Sequence, residues 1–305
     1  KFAVTGSGAR AWLDRIMAGR IPQAGRLSLT PMLSPKGKLI GDFTVSCIRE
    51  GLFQLTASYG SQAYHQRWFE QNMEPGVTLQ NISDQRTGFQ IAGPKAAEVL
   101  QACTTANVSD IRFLDVTELV VGATACLVQQ VSYTGDHGFE LYCDPMAQRA
   151  LWDRLWEAGK PHGMTPFGMR AMMSLRLDRF FGSWLSEFSP DYTAAETGLD
   201  RFISFRKNVD FIGRSAAEAE RLTPPERQLV IFEVDAHDAD AVAYEPVFIN
   251  GTVQGFCTSG GYSHHAEKSI AFALVPRAEM TDDLQTEIEI LGQLRPAKRL
   301  LEPLL

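Results

Sequence analysis

The chain has 305 residues, of which 45% are hydrophobic and 21% are charged, and its formal net charge is −7. This composition is ordinary for a folded protein of about two domains and excludes long disordered segments. The acidic balance argues against a nucleic-acid-binding protein, and no apolar run reaches the ~20 residues that a membrane helix requires. The five cysteines are widely spaced, so we interpret them as buried thiols in a reducing compartment and expect a cytoplasmic protein.

The first predicted element is a strand at residues 2–4, which is under way at the first residue without an initiator methionine. We therefore expect an incomplete N-terminus. The turn that follows, Gly6-Ser7-Gly8-Ala9-Arg10-Ala11, fits the dinucleotide-binding pattern G-x-G-x-x-A. That pattern also requires an acidic residue about 20 positions later, and residues 26–29 contain none. A nucleotide site is therefore not favoured. The adjacent His264 and His265 lack partners at metal-ligand spacing, so we expect no metal site.

An internal repeat organises the N-terminal part of the chain. Residues 2–13 align with residues 89–100 at an offset of 87 (89 − 2), and shorter matches follow at nearly the same offset. Each copy, near 1–85 and 86–170, predicts a strand, a glycine turn, a helix, further strands and a second helix. The further strands are predicted at 25–31, 38–48 and 52–58 in the first copy and at 117–121, 124–133 and 138–143 in the second. This order is typical of an α+β domain in which helices cover antiparallel sheets.

The remaining elements differ in character. Residues 164–182 are predicted as a further helix and residues 183–200 as a long ordered loop. After the Thr-Pro-Pro stretch at 223–225, the sequence predicts short strands at 227–234, 246–249, 252–258, 268–274 and 284–291, with turns at Asn250-Gly251 and Gly260-Gly261. Asn-Gly between two apolar runs is a strong hairpin signal. We therefore expect two domains, 1–222 and 223–305, of which the second is a small all-β barrel or sandwich.

Asp42 is an acid within the strand-like run at residues 39–45. Strand alternation directs Phe43 and Val45 towards the core and places Asp42 and Thr44 on the other face. Acids are depleted in strands, so Asp42 is a candidate functional residue. The alternative interpretation is a solvated aspartate that faces an edge of the sheet.

Glu140 is the corresponding acid of the second copy and lies between Phe139 and Leu141. A duplicated fold usually joins its halves about a pseudo-two-fold axis. A cleft between the halves would then receive one acid from each copy, Asp42 and Glu140.

A set of motifs runs in register along nearly the whole chain. They are 29–33 (LTPML), 37–45 (GKLIGDFTV), 91–96 (IAGPKA), 132–135 (SYTG), 138–141 (GFEL), 174–178 (SLRLD), 191–199 (DYTAAETGL), 210–214 (DFIGR) and 259–263 (SGGYS). These motifs resemble the folate-binding aminomethyltransferase family. That family includes the T-protein of the glycine cleavage system and the C-terminal folate domains of sarcosine and dimethylglycine dehydrogenases. The 164–214 segment is more similar to the dehydrogenase-linked branch than to the T-protein.

The resemblance implies an α+β fold, with a duplicated antiparallel-sheet and helix domain around a folate cleft and a small Greek-key β-barrel after it. Asp42 matches the family's catalytic aspartate, near the reactive nitrogens of tetrahydrofolate. Glu140 matches the glutamate that binds the pterin, and Tyr133 and Ser58 match cleft-lining, cofactor-binding positions.

The chain departs from the family at the binding of the folate tail. The T-protein has an arginine where this chain has Met172, and Arg170 would face away from that position on a helix. Arg201, Arg206 and Lys207 are the basic candidates for the tail, with a solvated surface as the alternative.

We therefore expect a tetrahydrofolate-dependent one-carbon transferase. It would move a methylene or iminium (aminomethyl) group from a methylamine-type donor or an aminomethyl carrier protein to tetrahydrofolate, giving 5,10-methylenetetrahydrofolate. A flavin dehydrogenase domain or subunit is the further partner that the resemblance implies. A tetrahydrofolate-dependent O-, N- or S-demethylase and a non-catalytic folate-binding module remain alternatives.

Overall fold

Two antiparallel sheets and one closed barrel contain the strands of the chain, which a computed structural model describes over residues 1–278 and 285–305. The strands of the first sheet are β1 (Phe2–Thr5), β2 (Arg26–Leu33), β3 (Leu39–Arg49), β4 (Leu52–Thr56) and β5 (Thr78–Asn81). The second sheet has β6 (Thr87–Ala92), β7 (Val116–Val121), β8 (Thr124–Gln129) and β9 (Gly138–Cys143). The barrel has β10 (Arg227–Val234), β11 (Pro246–Ile249), β12 (Thr252–Ser263), β13 (Lys268–Pro276), β14 (Thr286–Ile290) and β15 (Gln293–Leu300).

Short helices connect these strands. They are α1 (Ala9–Ile16), α2 (Gln62–Gln71), α3 (Ala96–Gln101), α4 (Gln148–Gly159), α5 (Met169–Leu175), α6 (Ala194–Thr197) and α7 (Arg214–Leu222). Single 3₁₀ turns lie at Tyr59–Ser61, Val108–Asp110, Pro145–Ala147, Lys160–His162, Arg176–Arg179 and Leu199–Phe202. The observed architecture is the predicted combination of helix-covered antiparallel sheets and an all-β C-terminal part.

The two sheets have the same strand order. The first is β2-β3-β4-β1 with β5 added beyond β1, and the second is β7-β8-β9-β6. The turn after the first strand of each sheet also matches, because Gly6 has φ 115° and Gly93 has φ 117°, a backbone that glycine adopts without steric cost. A Cβ on Gly6 would lie 2.1 Å from the Gly76 carbonyl oxygen. Close backbone packing therefore accounts for the first glycine of the G-x-G pattern.

Each sheet buries one face beneath its own helices. In the first sheet, Phe43 and Val45 of β3 join Trp12 of α1 in a core where all three are no more than 2% exposed. In the second sheet, Leu141 of β9 and Leu151 of α4 belong to an equivalent core. Full burial of one such side chain contributes about 1.5–3 kcal/mol. The opposite faces of the two sheets carry the polar residues.

The barrel closes in the order β10-β13-β12-β11-β14-β15. Strand β14 returns to lie beside β11, the first strand of the β11-β12-β13 hairpins, which is the Greek-key arrangement. The structure thus shows the barrel rather than the sandwich. The predicted strand at 284–291 starts at a residue outside the described ones, and its described part is β14. Strand β15 is absent from the predicted strands because its sequence, QLRPAKRL, has a proline and no apolar alternation. Pairing with both β14 and β10 nevertheless holds it in the barrel.

The predicted helix at 164–182 is wrong in extent. Only α5 and the following 3₁₀ turn are helical. Residues 164–168, which include Pro166, precede α5 and are not helical, and Gly168 has an extended backbone with ψ −177°. The predicted loop at 183–200 contains the unpredicted helix α6. Its start is a capping box, in which the Thr193 side chain accepts from the Glu196 backbone and the Glu196 side chain accepts in return. The T-x-x-E spacing is a sequence signal for this start.

The predicted turn at Gly260-Gly261 is also wrong, because both residues lie inside β12. A Cβ on Gly260 would lie 2.4 Å from the Ala241 carbonyl oxygen. These glycines therefore permit close packing within the barrel wall and do not reverse the chain.

The five cysteines are all buried and free, as predicted. None of the helices within residues 1–278 and 285–305 combines the length and apolar character that crossing a membrane requires.

His65 of α2 is a fully buried histidine between the first sheet and the segment after residue 180. Its ring packs against Phe43, Tyr64 and Trp184, with centroid distances of 4.8, 5.7 and 5.4 Å. Neither ring nitrogen makes a hydrogen bond with a residue in 1–278 or 285–305. Burial lowers the pKa of His65 to about 4. The nearby backbone of Ile40 opposes part of this decrease. His65 is therefore neutral in the folded protein at neutral pH.

We predict that replacing His65 by leucine removes an acid-dependent loss of stability. Because the folded-state pKa lies below the unfolded value of ~6.5, the stability from neutral His65 is complete above pH 6.5 and declines as pH falls towards 4. Between pH 8 and pH 5 the wild type should lose about 2 kcal/mol of unfolding free energy more than His65→Leu. Urea denaturation at both pH values measures this difference. His265→Leu, at an exposed histidine, is the control and should behave as wild type. An equal pH response in wild type and His65→Leu would contradict the prediction.

Candidate functional site

The polar faces of the two sheets meet each other. On β3, Asp42, Thr44 and Ser46 lie opposite the core-facing residues. In the second sheet, Gln129 of β8 is paired with Glu140 of β9, so both side chains lie on one face. Gln129 Nε2 donates to Ser46 Oγ at 2.9 Å, and both residues are fully buried. This hydrogen bond joins the sheets and places Asp42 and Glu140 on facing surfaces.

A second polar contact lies on the same strand as Glu140. Tyr142, two residues after Glu140 on β9, donates its hydroxyl to Glu140 Oε2 at 2.6 Å. Burial raises the pKa of Tyr142 well above its usual range, and the side chain of Thr56, which is paired with Thr44, partly opposes the rise. The sequence reasoning missed Tyr142 and Thr56. Strand alternation from Glu140 and from Thr44 is the signal that could have found them.

Asp42 lies on β3, just beyond the part of that strand that pairs with β4. Strand β3 runs between β2 and β4, and Asp42 is paired with Pro31 of β2. Burial raises the pKa of the Asp42 carboxyl group to about 7, although a hydrogen bond from its own backbone partly opposes the rise. No side chain of residues 1–278 and 285–305 donates a hydrogen bond to this carboxyl group. Asp42 is partly exposed, and with a pKa of about 7 its carboxyl group can gain or lose a proton near neutral pH. Its functional role stays a prediction.

Glu140 has a different environment from Asp42. Burial raises the pKa of Glu140, and the hydrogen bond from Tyr142 lowers it again in part. Within the described part of the chain, Tyr142 is the one side chain that donates to this carboxylate. Its hydroxyl donates to the Oε2 atom of Glu140. A carboxylate oxygen accepts about two hydrogen bonds. Glu140 therefore retains acceptor capacity between the sheets for a ligand with N–H donors.

Tyr133 lies in the loop between β8 and β9. Its hydroxyl donates to the Gly182 carbonyl oxygen at 2.6 Å, and its ring is stacked on Phe181 with the centroids 6.1 Å apart. Burial raises the pKa of Tyr133 to about 12, and the charge of Asp42 adds to the rise. Tyr133 is therefore within electrostatic range of Asp42.

Ser58 follows the end of β4, is exposed, and precedes the 3₁₀ turn Tyr59–Ser61. Its carbonyl oxygen accepts from the Ser61 backbone at 3.2 Å. The antiparallel register in which Thr44 pairs with Thr56 leads from Ser58 towards Asp42. The cofactor-binding roles of Ser58 and Tyr133 stay predictions.

The basic candidates for the folate tail are separated from one another. The Lys207 side chain is 6% exposed, and its Nζ donates to the carbonyl oxygens of Asp14, Met17 and Gly19 at 2.6, 2.9 and 3.0 Å. It therefore neutralises the C-terminal end of α1 and is not available to a ligand, so that candidate is wrong. The Arg201 guanidinium lies over the Phe202 ring, 5.0 Å from its centroid.

Comparisons with known proteins extend over the whole chain. The family model described as GCVT N-terminal domain matches residues 1–207, and the model described as glycine cleavage T-protein C-terminal barrel domain matches residues 227–305. An aminomethyltransferase from Geobacillus sp. (strain WCH70) is 30% identical over 307 residues, which are 99% of this chain and 84% of the relative.

The mitochondrial dimethylglycine dehydrogenase of Homo sapiens is 36% identical over 309 residues. The match covers all of this chain and 36% of the dehydrogenase, so the chain spans about a third of that relative. The cytoplasmic location of this chain stays a prediction. Among solved structures, the glycine cleavage system aminomethyltransferase T from Bartonella henselae has a TM-score of 0.89 at 22% identity and covers 100% of this chain and 83% of its own. This likeness shows that the fold is shared.

We predict that Asp42→Asn stabilises the protein in a pH-dependent way. The folded-state pKa of Asp42, about 7, lies above the unfolded value of ~3.9, so the ionised carboxylate destabilises the fold. Wild type loses stability relative to Asp42→Asn as pH rises from about 4 to 7. The variant should be more stable by about 2–4 kcal/mol at pH 8 and by less than about 1 kcal/mol at pH 4.

Chemical denaturation at the two pH values measures this difference. The matched control is Asp110→Asn, at an exposed aspartate, which should match wild type at both pH values. A stability difference for Asp42→Asn that does not change with pH would contradict the raised pKa.

Proposed function

Because the chain belongs to the glycine cleavage T-protein family of aminomethyltransferases, we propose that it binds tetrahydrofolate between its two sheets and transfers a one-carbon unit to it. In the reaction that we assign, a methylene or iminium (aminomethyl) group passes from the donor nitrogen to the two folate nitrogens. The products are 5,10-methylenetetrahydrofolate and an amine or ammonia, which takes up the protons that the folate nitrogens lose. The observation that carries the proposal is the facing pair of partly buried acids, Asp42 and Glu140, one from each copy of the repeat. Residues 1–222 as the folate-binding domain and 223–305 as the barrel domain are part of the proposal.

The free acceptor capacity of Glu140 fits a pterin ring. A pterin presents a ring N–H and an exocyclic amine side by side, and a carboxylate can accept from both in parallel. Tyr142 holds Glu140 from one side at 2.6 Å and so fixes the direction of the carboxylate. Since burial raises the pKa of Glu140, the two N–H donors would favour its ionised form. In this proposal, Glu140 sets the plane of the ring.

Asp42 supplies the proton chemistry. Tetrahydrofolate, when bound, supplies the nucleophilic nitrogens that accept the one-carbon unit. An acid with a pKa of about 7 can take a proton from an amine nitrogen and return it at neutral pH. Its ionised form also stabilises positive charge that develops on the transferred group, and burial strengthens that interaction. In this proposal, the sheets and the bound folate together keep water from the one-carbon unit, which water would otherwise release as formaldehyde.

The donor side of the proposal follows the dehydrogenase relatives. Identity to the human dimethylglycine dehydrogenase is 36%, compared with 30% to the Geobacillus aminomethyltransferase. We assign the chain to a sarcosine or dimethylglycine dehydrogenase-like system. There, a flavin dehydrogenase domain or subunit acts on a methylamine-type donor. An aminomethyl carrier protein is the other donor that the family suggests.

We predict that Glu140→Gln weakens tetrahydrofolate binding by about 2–4 kcal/mol, since a charged acceptor is lost and a buried amide is left without its ideal partners. Isothermal titration calorimetry of the purified chain measures the change. Glu118→Gln, at an exposed glutamate of the same sheet, is the control and should bind as wild type. Equal tetrahydrofolate affinities of Glu140→Gln and wild type would show that Glu140 does not bind the folate.

We predict that Asp42→Asn binds tetrahydrofolate within about threefold of wild type but transfers the one-carbon unit about 10²–10⁴-fold more slowly. Single-turnover assays with a methylamine-type donor and its flavin dehydrogenase, with the folate product identified by mass, measure both rate and outcome. A 5-methyltetrahydrofolate product would indicate the demethylase alternative. Folate binding without turnover by wild type in the complete system would favour the non-catalytic module.

A further inference from the structure

Residues 181–188, here called the 181–188 loop, hold Tyr133 from one side. The Gly182 carbonyl oxygen accepts the Tyr133 hydroxyl at 2.6 Å. A Cβ on Gly182 would lie 2.3 Å from the Phe188 ring, so the backbone of the loop is closely packed here. The position of the Tyr133 hydroxyl therefore depends on the backbone of this loop.

A buried ion pair holds the backbone on both sides of Gly182. Glu187 Oε2 accepts from the Ser183 backbone nitrogen at 2.8 Å and from Arg176 Nη1 at 2.8 Å. The same Arg176 nitrogen donates to the Phe181 carbonyl oxygen at 2.6 Å. Glu187 is 0% and Arg176 1% exposed. The residues before and after Gly182 are thus both bonded to one pair of charges.

The barrel supplies the remaining partners of this pair. Thr258 Oγ1 donates to Glu187 Oε1 at 2.8 Å, and the Ser259 hydroxyl donates to the same oxygen. Arg176 Nη2 donates to Ser259 Oγ at 2.8 Å. Both hydroxyls lie on β12, where the register with β13 shifts. Hydrogen bonds from the barrel wall therefore reach the Ser183 nitrogen, and the Gly182–Ser183 peptide group joins that nitrogen to the oxygen that accepts from Tyr133.

We infer that Glu187 is a positioning residue through which the barrel sets the geometry of Tyr133. With Arg176 and the two β12 hydroxyls, it fixes the Gly182 carbonyl oxygen, and that oxygen fixes the Tyr133 hydroxyl. The inference rests on the proposed function in one respect, since it takes Tyr133 to lie against the bound pterin. A merely structural ion pair would attach the barrel without acting through the Tyr133 hydroxyl.

A double-mutant cycle tests whether the effect passes through that hydroxyl. Glu187→Gln is unsuitable by itself, because it leaves the buried charge of Arg176 without its partner and endangers folding. Ser259→Ala removes a neutral hydroxyl and keeps both charges. It should weaken tetrahydrofolate binding about 3- to 10-fold in the presence of Tyr133. In a Tyr133→Phe background, the same change should have less than about a twofold effect. Thr258→Val provides a second, independent cycle.

Ser269→Ala is the matched control. Its hydroxyl is buried in the same barrel and bonded to Asp240 at 2.7 Å, away from Glu187. This change should alter tetrahydrofolate binding in neither background. If the effects of Ser259→Ala and Thr258→Val are instead the same with and without the Tyr133 hydroxyl, the inference is overturned while the proposed function stands.

A measurement without folate distinguishes failure of this inference from failure of the proposed function. The chain has 7 tyrosines, and the ring resonances of Tyr133 in ¹³C-tyrosine-labelled protein can be identified by their loss in Tyr133→Phe. These resonances should shift in Ser259→Ala and stay unchanged in Ser269→Ala. If wild type does not bind tetrahydrofolate, the proposed function is wrong. The Tyr133 resonances alone then test whether the barrel sets the geometry of Tyr133. A shift then supports the link from the barrel to Tyr133, and no shift overturns it.

Discussion

Each of the two sheets has one apolar face, and its own helices cover that face, so the polar faces can be buried only against each other. The Gln129–Ser46 hydrogen bond lies in that contact, and the Tyr142–Glu140 bond lies at its side. An aspartate on a solvent-facing sheet surface would keep its ordinary pKa. Between two sheets, the Asp42 carboxyl group loses water and its pKa rises to about 7. The packing that joins the two copies is therefore also what gives the site a proton donor near neutral pH.

The two acids share this interface but differ in hydrogen bonding, and the difference assigns their proposed roles. Glu140 accepts from Tyr142, which directs its carboxylate and favours the ionised form. Asp42 has no such donor among the described side chains, so its pKa is raised because the ionised carboxylate is poorly solvated. A directed carboxylate suits recognition of N–H donors, whereas an undirected one with a near-neutral pKa suits proton transfer.

The sequence was sufficient for features that depend on local pattern. Alternation in residues 39–45 predicts the two faces of β3, and the repeat predicts the common strand order and the Gly6 and Gly93 turns. Strand β15 and the glycines of β12 were missed because their conformation depends on neighbours in the barrel rather than on their own residues. Ser58 lies past the end of β4, where alternation no longer determines direction, so its place in the site stays a prediction.

The anchoring of the 181–188 loop could not be predicted for a related reason. Arg176, Glu187 and Ser259 are far apart in the chain, and an arginine in a polar helical turn resembles a surface residue until the fold buries it. A buried ion pair is a weak source of stability, because desolvation of two charges offsets much of their attraction. Its effect in this chain is therefore chiefly geometric. Each donor and acceptor fixes one backbone atom beside Gly182 or one hydroxyl of β12, and apolar side chains of similar size could fill the same space without fixing any of them.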